Sequence, residues 1–167
     1  VEYLKEVNST GVSPTQGKRV VVIGGGNVAM DVARVARRQG AAAVALIALE
    51  SAQELPASPW EVAEAKAEGI EIVHRLGVKQ ILSENGQVTG LELKAVARVF
   101  DEQGRFAPTY FEDQLSSREA DVVIMAIGQK ADLKFITAAD GIKQTPRGLI
   151  ETEADTLATS REAVFAG

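Results

Sequence analysis

The chain has 167 residues, a formal net charge of −5 and 46% hydrophobic residues, which is ordinary for one globular domain with its own core. The acidic balance argues against a nucleic-acid partner. The chain contains no cysteine and one histidine, which excludes disulphides, thiol chemistry and a multi-histidine metal site within it. We find neither a signal peptide nor a run of about 18 apolar residues. We therefore expect a cytoplasmic protein with no metal site and no membrane span.

The first strongly patterned stretch follows a short helix predicted over residues 1–7 and a linker over residues 8–17. Residues 20–23 form an apolar, β-branched run that predicts a strand buried on both faces. Three glycines interrupt this run. Apolar residues then recur at helical spacing as far as Gly40, which is placed to end the helix. The pattern predicts a strand, a glycine turn and a helix in that order.

This stretch carries the small residues of the G-x-G-x-x-G/A dinucleotide fingerprint. Gly24 permits a tight turn, Gly26 lets a pyrophosphate approach the backbone, and Ala29 lets the helix pack closely on the strand. Asn27 and Val28 would offer backbone N–H groups to phosphate, although Asn27 can equally cap the helix. A bare structural turn is the less favoured alternative, because the flanking elements have the correct order. The candidate phosphate-binding residues are Gly24, Gly25, Gly26, Asn27, Val28 and Ala29.

A second buried strand, predicted over residues 43–49, ends at Glu50. A carboxylate at this place can accept hydrogen bonds from the adenosine ribose and repels a 2′-phosphate, which favours NAD(H) over NADP(H). The spacing from the glycine turn exceeds the usual ≈ 20 residues, so Ser51 is an alternative contact. A solvated carboxylate at a strand end is the structural alternative for Glu50.

The next elements complete a β-α-β-α-β unit, which is the first half of a doubly wound fold. Ser58, Pro59 and Glu61 predict a helix start with a capping box. That helix is expected to reach about residue 68, and a third parallel strand is predicted over residues 70–74.

The periodicity then changes to alternation. Residues 78–82 and 88–99 predict a hairpin, and a further short strand is predicted between residues 105 and 111. Residues 121–127 predict the fourth parallel strand. The expected fold is α/β and Rossmann-like. It has a four-stranded parallel sheet with helices and a three-stranded antiparallel meander.

Ligands of open α/β sheets bind beyond the carboxyl ends of the strands. Three residues at the end of the fourth parallel strand are therefore candidates for the cofactor cleft, although Gly128 can also be a plain strand end. They are Ala126, Ile127 and Gly128. Beyond them, residues 130–139 predict a short helix, and residues 148–150 and 163–167 predict short strands.

The remaining charged residues receive structural interpretations. His74 lies in an apolar strand and is interpreted as a packed, hydrogen-bonded core or edge histidine rather than a catalyst. Charged residues at helical spacing are interpreted as solvated faces, the arginines alternatively as a surface for a neighbouring domain. These residues are Arg34, Arg37, Arg38, Glu61, Glu64 and Glu68.

Four segments together resemble the pyridine-nucleotide domain of two-dinucleotide flavoprotein reductases, within the pyridine nucleotide-disulfide oxidoreductase superfamily. The resemblance is closest to the group of the glutamate synthase small subunit. The segments are GGGNVAMDVA at residues 24–33, LPAS at 55–58, DVVIMAIGQ at 121–129 and VFAG at 164–167. The resemblance implies the two-dinucleotide-binding-domain fold, and in such proteins this domain is inserted into an FAD-binding domain.

The resemblance implies a division of the chain and a task. Residues 18–155 would be the NAD(P)-binding domain, residues 1–17 a linker or edge of the missing FAD domain, and residues 156–167 a return strand toward it. The module would hold NAD(P)H for hydride transfer to or from FAD held elsewhere in the parent chain, with no FAD in these residues. Its partners would be the flanking FAD domain and an iron–sulfur domain or subunit.

Because the cofactors carry the chemistry in such enzymes, we expect no catalytic residue here and an inactive isolated domain. One alternative is a stand-alone, non-catalytic dinucleotide-binding or sensing domain. Another is a pocket for FAD or S-adenosylmethionine, which is disfavoured because a second fingerprint is absent.

Overall fold

The structure is a computed structural model, which describes residues 2–129, 131–146 and 148–167. The chain divides into two units, Val1–Gly128 and Gln129–Gly167. The first unit contains ten elements in chain order. They are α1 (Glu2–Thr10), β1 (Arg19–Ile23), α2 (Asn27–Arg38), β2 (Ala43–Ile47), α3 (Pro59–Ala67), β3 (Glu71–Val73), β4 (Leu76–Glu84), β5 (Gln87–Phe100), β6 (Phe106–Glu119) and β7 (Val122–Met125).

A four-stranded parallel sheet with the order β3-β2-β1-β7 forms the centre of the first unit. The middle of β1, which contains Val20, Val21 and Val22, is almost completely buried, as expected for a strand covered on both faces. In the register, Ile23 at the end of β1 lies beside Ile47 of β2 and Met125 of β7. The carboxyl ends of these three strands therefore meet at one edge. The predicted fold is confirmed.

Different layers cover the two faces of this sheet. Met30 and Val32 of α2 pack in one core cluster with Val20 and Val22 of β1. On the opposite face, Val21 packs in a second cluster that includes residues of the antiparallel sheet β4-β5-β6. The meander is thus a layer of the domain.

The largest difference from the predicted bounds is the length of β6. The sequence predicts a short strand between residues 105 and 111, whereas β6 spans Phe106–Glu119. Residues 112–119 are mostly polar and exposed, and they pair with β5 through the backbone, for example Ser116 with Leu93. Because neither face of this part of the strand is buried, no apolar alternation marks it in the sequence.

The predicted capping box of α3 is wrong in its side-chain contacts. Pro59 begins the helix and Ser58 occupies the N-cap position, as predicted, but the Ser58 hydroxyl makes no capping hydrogen bond. That hydroxyl oxygen is buried without a hydrogen-bond partner among the described residues. Glu61 is directed to an arginine of α2 instead of the helix start.

The second unit has little regular structure. It contains a 3-10 helix, Ala138–Asp140, whose capping box joins Thr137 and Asp140. The short strands predicted at residues 148–150 and 163–167 contribute only isolated bridges, such as Gln144 to Ile150. Val1 and Lys130, the first residues of two predicted helical segments, lie outside the described residues. Among those that are described, no helix is both long and apolar enough for a membrane span.

Candidate dinucleotide-binding site

The turn after β1 requires glycine at its first position. The Gly24 N–H donates to the carbonyl of Ile47 at 2.9 Å, and Gly24 has a φ of +140°. A Cβ on this residue would lie 2.3 Å from the carbonyl oxygen of Ala126, which follows β7. L-residues with a side chain rarely adopt this backbone conformation, and the space is also closed. Gly24 therefore brings β1, β2 and β7 together at the sheet edge.

Gly25 and Gly26 serve different purposes. A Cβ on Gly25 would lie 2.8 Å from both the Glu50 carboxylate and a methyl group of Leu55, so the loop after β2 packs directly on this residue. A Cβ on Gly26 would have no atom within 4 Å. The backbone of Gly26 therefore faces open space, as the fingerprint interpretation requires.

The start of α2 presents free donors beside this open space. Gly26 is the N-cap, and its carbonyl accepts the N–H groups of Ala29 at 2.9 Å and Met30 at 3.2 Å. The N–H groups of Asn27 and Val28 have no acceptor within the described part of the chain. The first turn contains no acidic residue, so the partial positive charge of the helix end is not neutralised there.

The Asn27 side chain contacts the neighbouring loop, and the N-cap is Gly26. The Asn27 Oδ1 accepts the backbone N–H of Ser58 at 2.8 Å. One residue earlier, the Ala57 N–H donates to the carbonyl of Gly25 at 3.0 Å. Two hydrogen bonds therefore join the glycine turn to the segment before α3.

A cleft of about 680 Å³ opens at the carboxyl edge of the parallel sheet, within the range typical of small-molecule sites. Nine of the eleven predicted site residues line it; Ala29 and Ser51 do not. Ala29 is completely buried at the start of α2, in accordance with a packing role. The nine lining residues are Gly24, Gly25, Gly26, Asn27, Val28, Glu50, Ala126, Ile127 and Gly128.

The lining residues that come from the meander and from the neighbouring strand ends and loop were not predicted from the sequence. Phe106 and Tyr110 on β6 face the cleft, and a Cβ on Gly77 of β4 would lie 2.4 Å from the Tyr110 ring. The even spacing of the two aromatic residues in a strand was an available signal for one shared face. The missed lining residues are Ile23, Ile47, Leu49, Pro56, Leu76, Gly77, Val78, Phe106 and Tyr110.

The cleft lining is poor in titratable side chains. Among the described lining residues, Glu50 and Tyr110 are the two with an ionisable side chain, and none is lysine or arginine. His74 does not line the cleft, and its Nδ1 is buried without a hydrogen-bond partner among the described residues. The arrangement is suited to holding a ligand by backbone donors, apolar walls and one carboxylate.

An ionic cluster fixes α3 against α2. The Arg34 guanidinium contacts the carboxylates of Glu61 at 3.0 Å and Glu64 at 2.5 Å. It also contacts Glu68 at 2.8 Å, which in turn pairs with Arg38 at 2.6 Å. Hydrogen bonds from Arg38 and Arg34 hold the pKa of Glu68 below its ordinary value. Because the side chains of Arg34 and Glu61 are 14% and 9% exposed, the interpretation as solvated faces is wrong for them.

The strand order, the glycine turn and the cleft together define a Rossmann-type α/β domain. The family model described as pyridine nucleotide-disulphide oxidoreductase matches residues 2–167, and the chain belongs to this family. The resemblance inferred from the four sequence segments is thereby confirmed. Because the chain contains no cysteine, its own side chains carry out no disulphide chemistry.

Several curated relatives are subunits of oxidoreductases. The chain is 39% identical over its whole length to the NADP(+)-dependent formate dehydrogenase subunit beta of Moorella thermoacetica, of which it covers 24%. It is 36% identical over its whole length to the NADPH-Fe(3+) oxidoreductase subunit beta of Geobacter sulfurreducens, of which it covers 28%. For the glutamate synthase [NADPH] small chain of Azospirillum brasilense the identity is 33%, over 96% of this chain and 34% of the relative.

The chain thus spans about a quarter to a third of these relatives. Among solved structures, thioredoxin reductase from T. acidophilum superposes with a TM-score of 0.70 at 25% identity. This superposition covers 90% of the present chain and 43% of the reductase. The protein is therefore part of an oxidoreductase family, and the names of the three subunits above contain NADP(+) or NADPH.

Proposed function

We propose that this chain is the nicotinamide dinucleotide-binding module of a flavin-dependent oxidoreductase related to the glutamate synthase small subunit. It holds NAD(P)H so that the nicotinamide exchanges a hydride with FAD bound elsewhere in the parent chain. The observation that carries this proposal is the open approach to Gly26 in front of the free N–H groups of α2. A diphosphate is the ligand that such a helix start and such a glycine turn bind best.

The order of the strands supports one orientation of the dinucleotide. The diphosphate lies at the turn after β1, in the middle of the sheet edge. Glu50 follows β2 on one side and would accept the adenosine ribose hydroxyls. Ala126 and Ile127 follow β7 on the other side and would line the nicotinamide end. When bound, the nicotinamide supplies or accepts the hydride, and the residues of this chain bind and orient it.

Glu50 supports NADH over NADPH as the preferred nucleotide. Its carboxylate lines the cleft beside Gly25, and no lysine or arginine is among the lining residues that the structure describes. A carboxylate accepts hydrogen bonds from a free 2′-hydroxyl and repels a 2′-phosphate. The named relatives use NADP(H), so the choice of nucleotide is the most discriminating part of the proposal.

The proposed partners are the FAD-binding domain of the same parent chain and an iron–sulfur domain or subunit that exchanges electrons with the flavin. Electron-transfer relatives such as the NADPH-Fe(3+) oxidoreductase subunit support this arrangement. In this proposal the isolated module has no turnover, because the hydride has no acceptor within it.

Calorimetric titration of the flavin-free protein with NADH and with NADPH tests the proposal. We expect tighter binding of NADH, and we expect Glu50→Gln to weaken NADH binding and to reduce the discrimination against NADPH. Glu84→Gln, an exposed residue at the end of β4, is the matched charge control. If neither nucleotide binds, the proposed function as a dinucleotide-binding module is refuted. Equal affinities, or tighter binding of NADPH, refute only the preference for NADH.

A dye-reduction assay on the same flavin-free protein tests the dependence on FAD. We expect no NADH oxidation, and turnover would contradict the need for a separate flavin site. A stand-alone sensing domain is the second candidate, and it also predicts binding without turnover. A parent gene that encodes an FAD-binding fingerprint before this segment distinguishes the module from the sensor.

A further inference from the structure

The loop after β2 contains a second carboxylate that has a different environment from Glu50. The Ser51 backbone N–H donates to the Glu54 carboxylate at 3.0 Å. The Arg75 guanidinium pairs with the same carboxylate oxygen of Glu54 at 2.9 Å. Hydrogen bonding from Ser51 lowers the pKa of Glu54, and the positive charge of Arg75 adds to this effect. Glu54 is therefore held in its charged form by two donors from different parts of the chain.

Both donors adjoin Glu50, although neither lines the cleft itself. Ser51 directly follows Glu50, and the Arg75 N–H donates to the carbonyl of Glu50 at 3.3 Å. Arg75 also directly precedes Leu76, which lines the cleft. Arg75 lies between β3 and β4, and in NADP-binding sites an arginine near the residue that follows the second strand accommodates the 2′-phosphate.

The backbone of Arg75 is fixed independently of Glu54. Arg75 has a φ of +58°, an uncommon conformation for a residue with a side chain. Its N–H bonds to Glu50, and its carbonyl accepts the N–H of Val96 on β5 at 2.9 Å. Removing the Glu54 carboxylate would therefore leave the base of the Arg75 side chain in place.

We propose that Glu54 is a specificity-determining residue that occupies, as an internal carboxylate, the anion site formed by Arg75 and the Ser51 N–H, and so excludes the 2′-phosphate of NADPH. This inference rests on the proposed dinucleotide site and assigns a separate task to each carboxylate. Glu50 accepts the ribose hydroxyls and repels a 2′-phosphate directly, whereas Glu54 neutralises the cation that would otherwise attract the phosphate. A 2′-phosphate must displace Glu54 and leave its carboxylate without these donors.

Three variants, titrated calorimetrically with NADH and NADPH, test this inference. Glu54→Gln keeps the side-chain size but removes the charge, so Arg75 becomes free to pair with a 2′-phosphate. We expect the Kd of NADPH to fall by at least about tenfold, since a hydrogen bond to a charged group is gained. The Kd of NADH should change less than about twofold, because NADH has no group at that place.

The double variant Glu54→Gln, Arg75→Gln and the charge control Glu84→Gln complete the design. We expect the double variant to lose the gain for NADPH and the control to show none. The inference is overturned if Glu54→Gln leaves NADPH binding unchanged, improves both nucleotides equally, or keeps its gain without Arg75. If the unaltered protein binds neither nucleotide, the proposed dinucleotide site itself is wrong. Binding of NADH with no response to Glu54→Gln refutes only the role of Glu54.

Discussion

Asn27, the first residue of α2, accepts the backbone N–H of Ser58, the N-cap of α3, through its side-chain oxygen at 2.8 Å. The Ala57 N–H bonds to Gly25 in parallel with it. The glycine turn is therefore held by hydrogen bonds to the loop on one side and by Gly24 against β2 and β7 on the other. A diphosphate would meet a preorganised turn, which lowers the ordering cost of binding.

Two substitutions of Asn27 separate its structural and its electrostatic effects. Asn27→Ala removes the acceptor for Ser58, so we expect the free energy of unfolding to fall by about 1 kcal/mol. Asn27→Asp keeps an acceptor but places a negative charge beside the proposed diphosphate. We expect it to preserve stability and to raise the Kd of NADH at least about fivefold. Urea denaturation and calorimetry measure the two effects, and unchanged NADH binding in Asn27→Asp would place the phosphates elsewhere.

Gly24 and Gly26 provide a matched pair of alanine substitutions. Gly24→Ala puts a Cβ against the Ala126 carbonyl in a strained backbone conformation, so we expect a loss of stability of about 3 kcal/mol or more. Gly26→Ala adds a methyl group in open space, so we expect a stability change within about 1 kcal/mol. Its Kd for NADH should nevertheless rise at least about tenfold, because the methyl group obstructs the diphosphate. A stable Gly26→Ala protein with unaltered NADH binding would refute the proposed site.

The parts of the fold that local patterns specify were predictable. The buried strand before Gly24, the helix after it and the antiparallel hairpin all follow from apolar periodicity and glycine positions, and the structure contains each of them. The glycine turn could be predicted for the same reason. Three consecutive glycines occur in few local structures, and the flanking strand and helix favour a tight turn between a strand and a helix.

The remaining features depend on contacts between distant segments. The spacing of Phe106 and Tyr110 indicates a shared face of β6, but that this face lines the cleft depends on the pairing of β6 with β5, which contains several register shifts. The pairing of Arg34 with Glu61 depends on how α2 and α3 lie against each other. In the sequence, charges at helical spacing look the same whether they face a neighbouring helix or water.

The ion pairs of Arg34 should contribute more to the free energy of unfolding than the exposed ion pair of Arg38. Arg34→Met leaves the buried Glu61 without its cation, whereas Arg38→Met removes a side chain that is 60% exposed. We expect the urea midpoint to fall clearly for Arg34→Met and little for Arg38→Met, since exposed ion pairs contribute little. The effect of Arg34→Met should also persist at high salt, where exposed pairs are screened. Equal midpoints for the two variants would show that the cluster has no special role.

The stability of the fold should depend on acidic pH through the ion pair between Arg19 on β1 and Asp121, which precedes β7. Hydrogen bonds from the Arg19 guanidinium and backbone N–H lower the pKa of Asp121 to about 2. Because this pKa lies below its value in the unfolded chain, the pair stabilises the fold at neutral pH and loses this contribution as pH falls from about 4 toward about 2. In urea denaturation at successive pH values, Asp121→Asn should be less stable than the unaltered protein at pH 7, and the difference should shrink below about pH 4. Asp113→Asn, an exposed change on β6, is the control, and a pH-independent difference for Asp121→Asn would contradict the assignment.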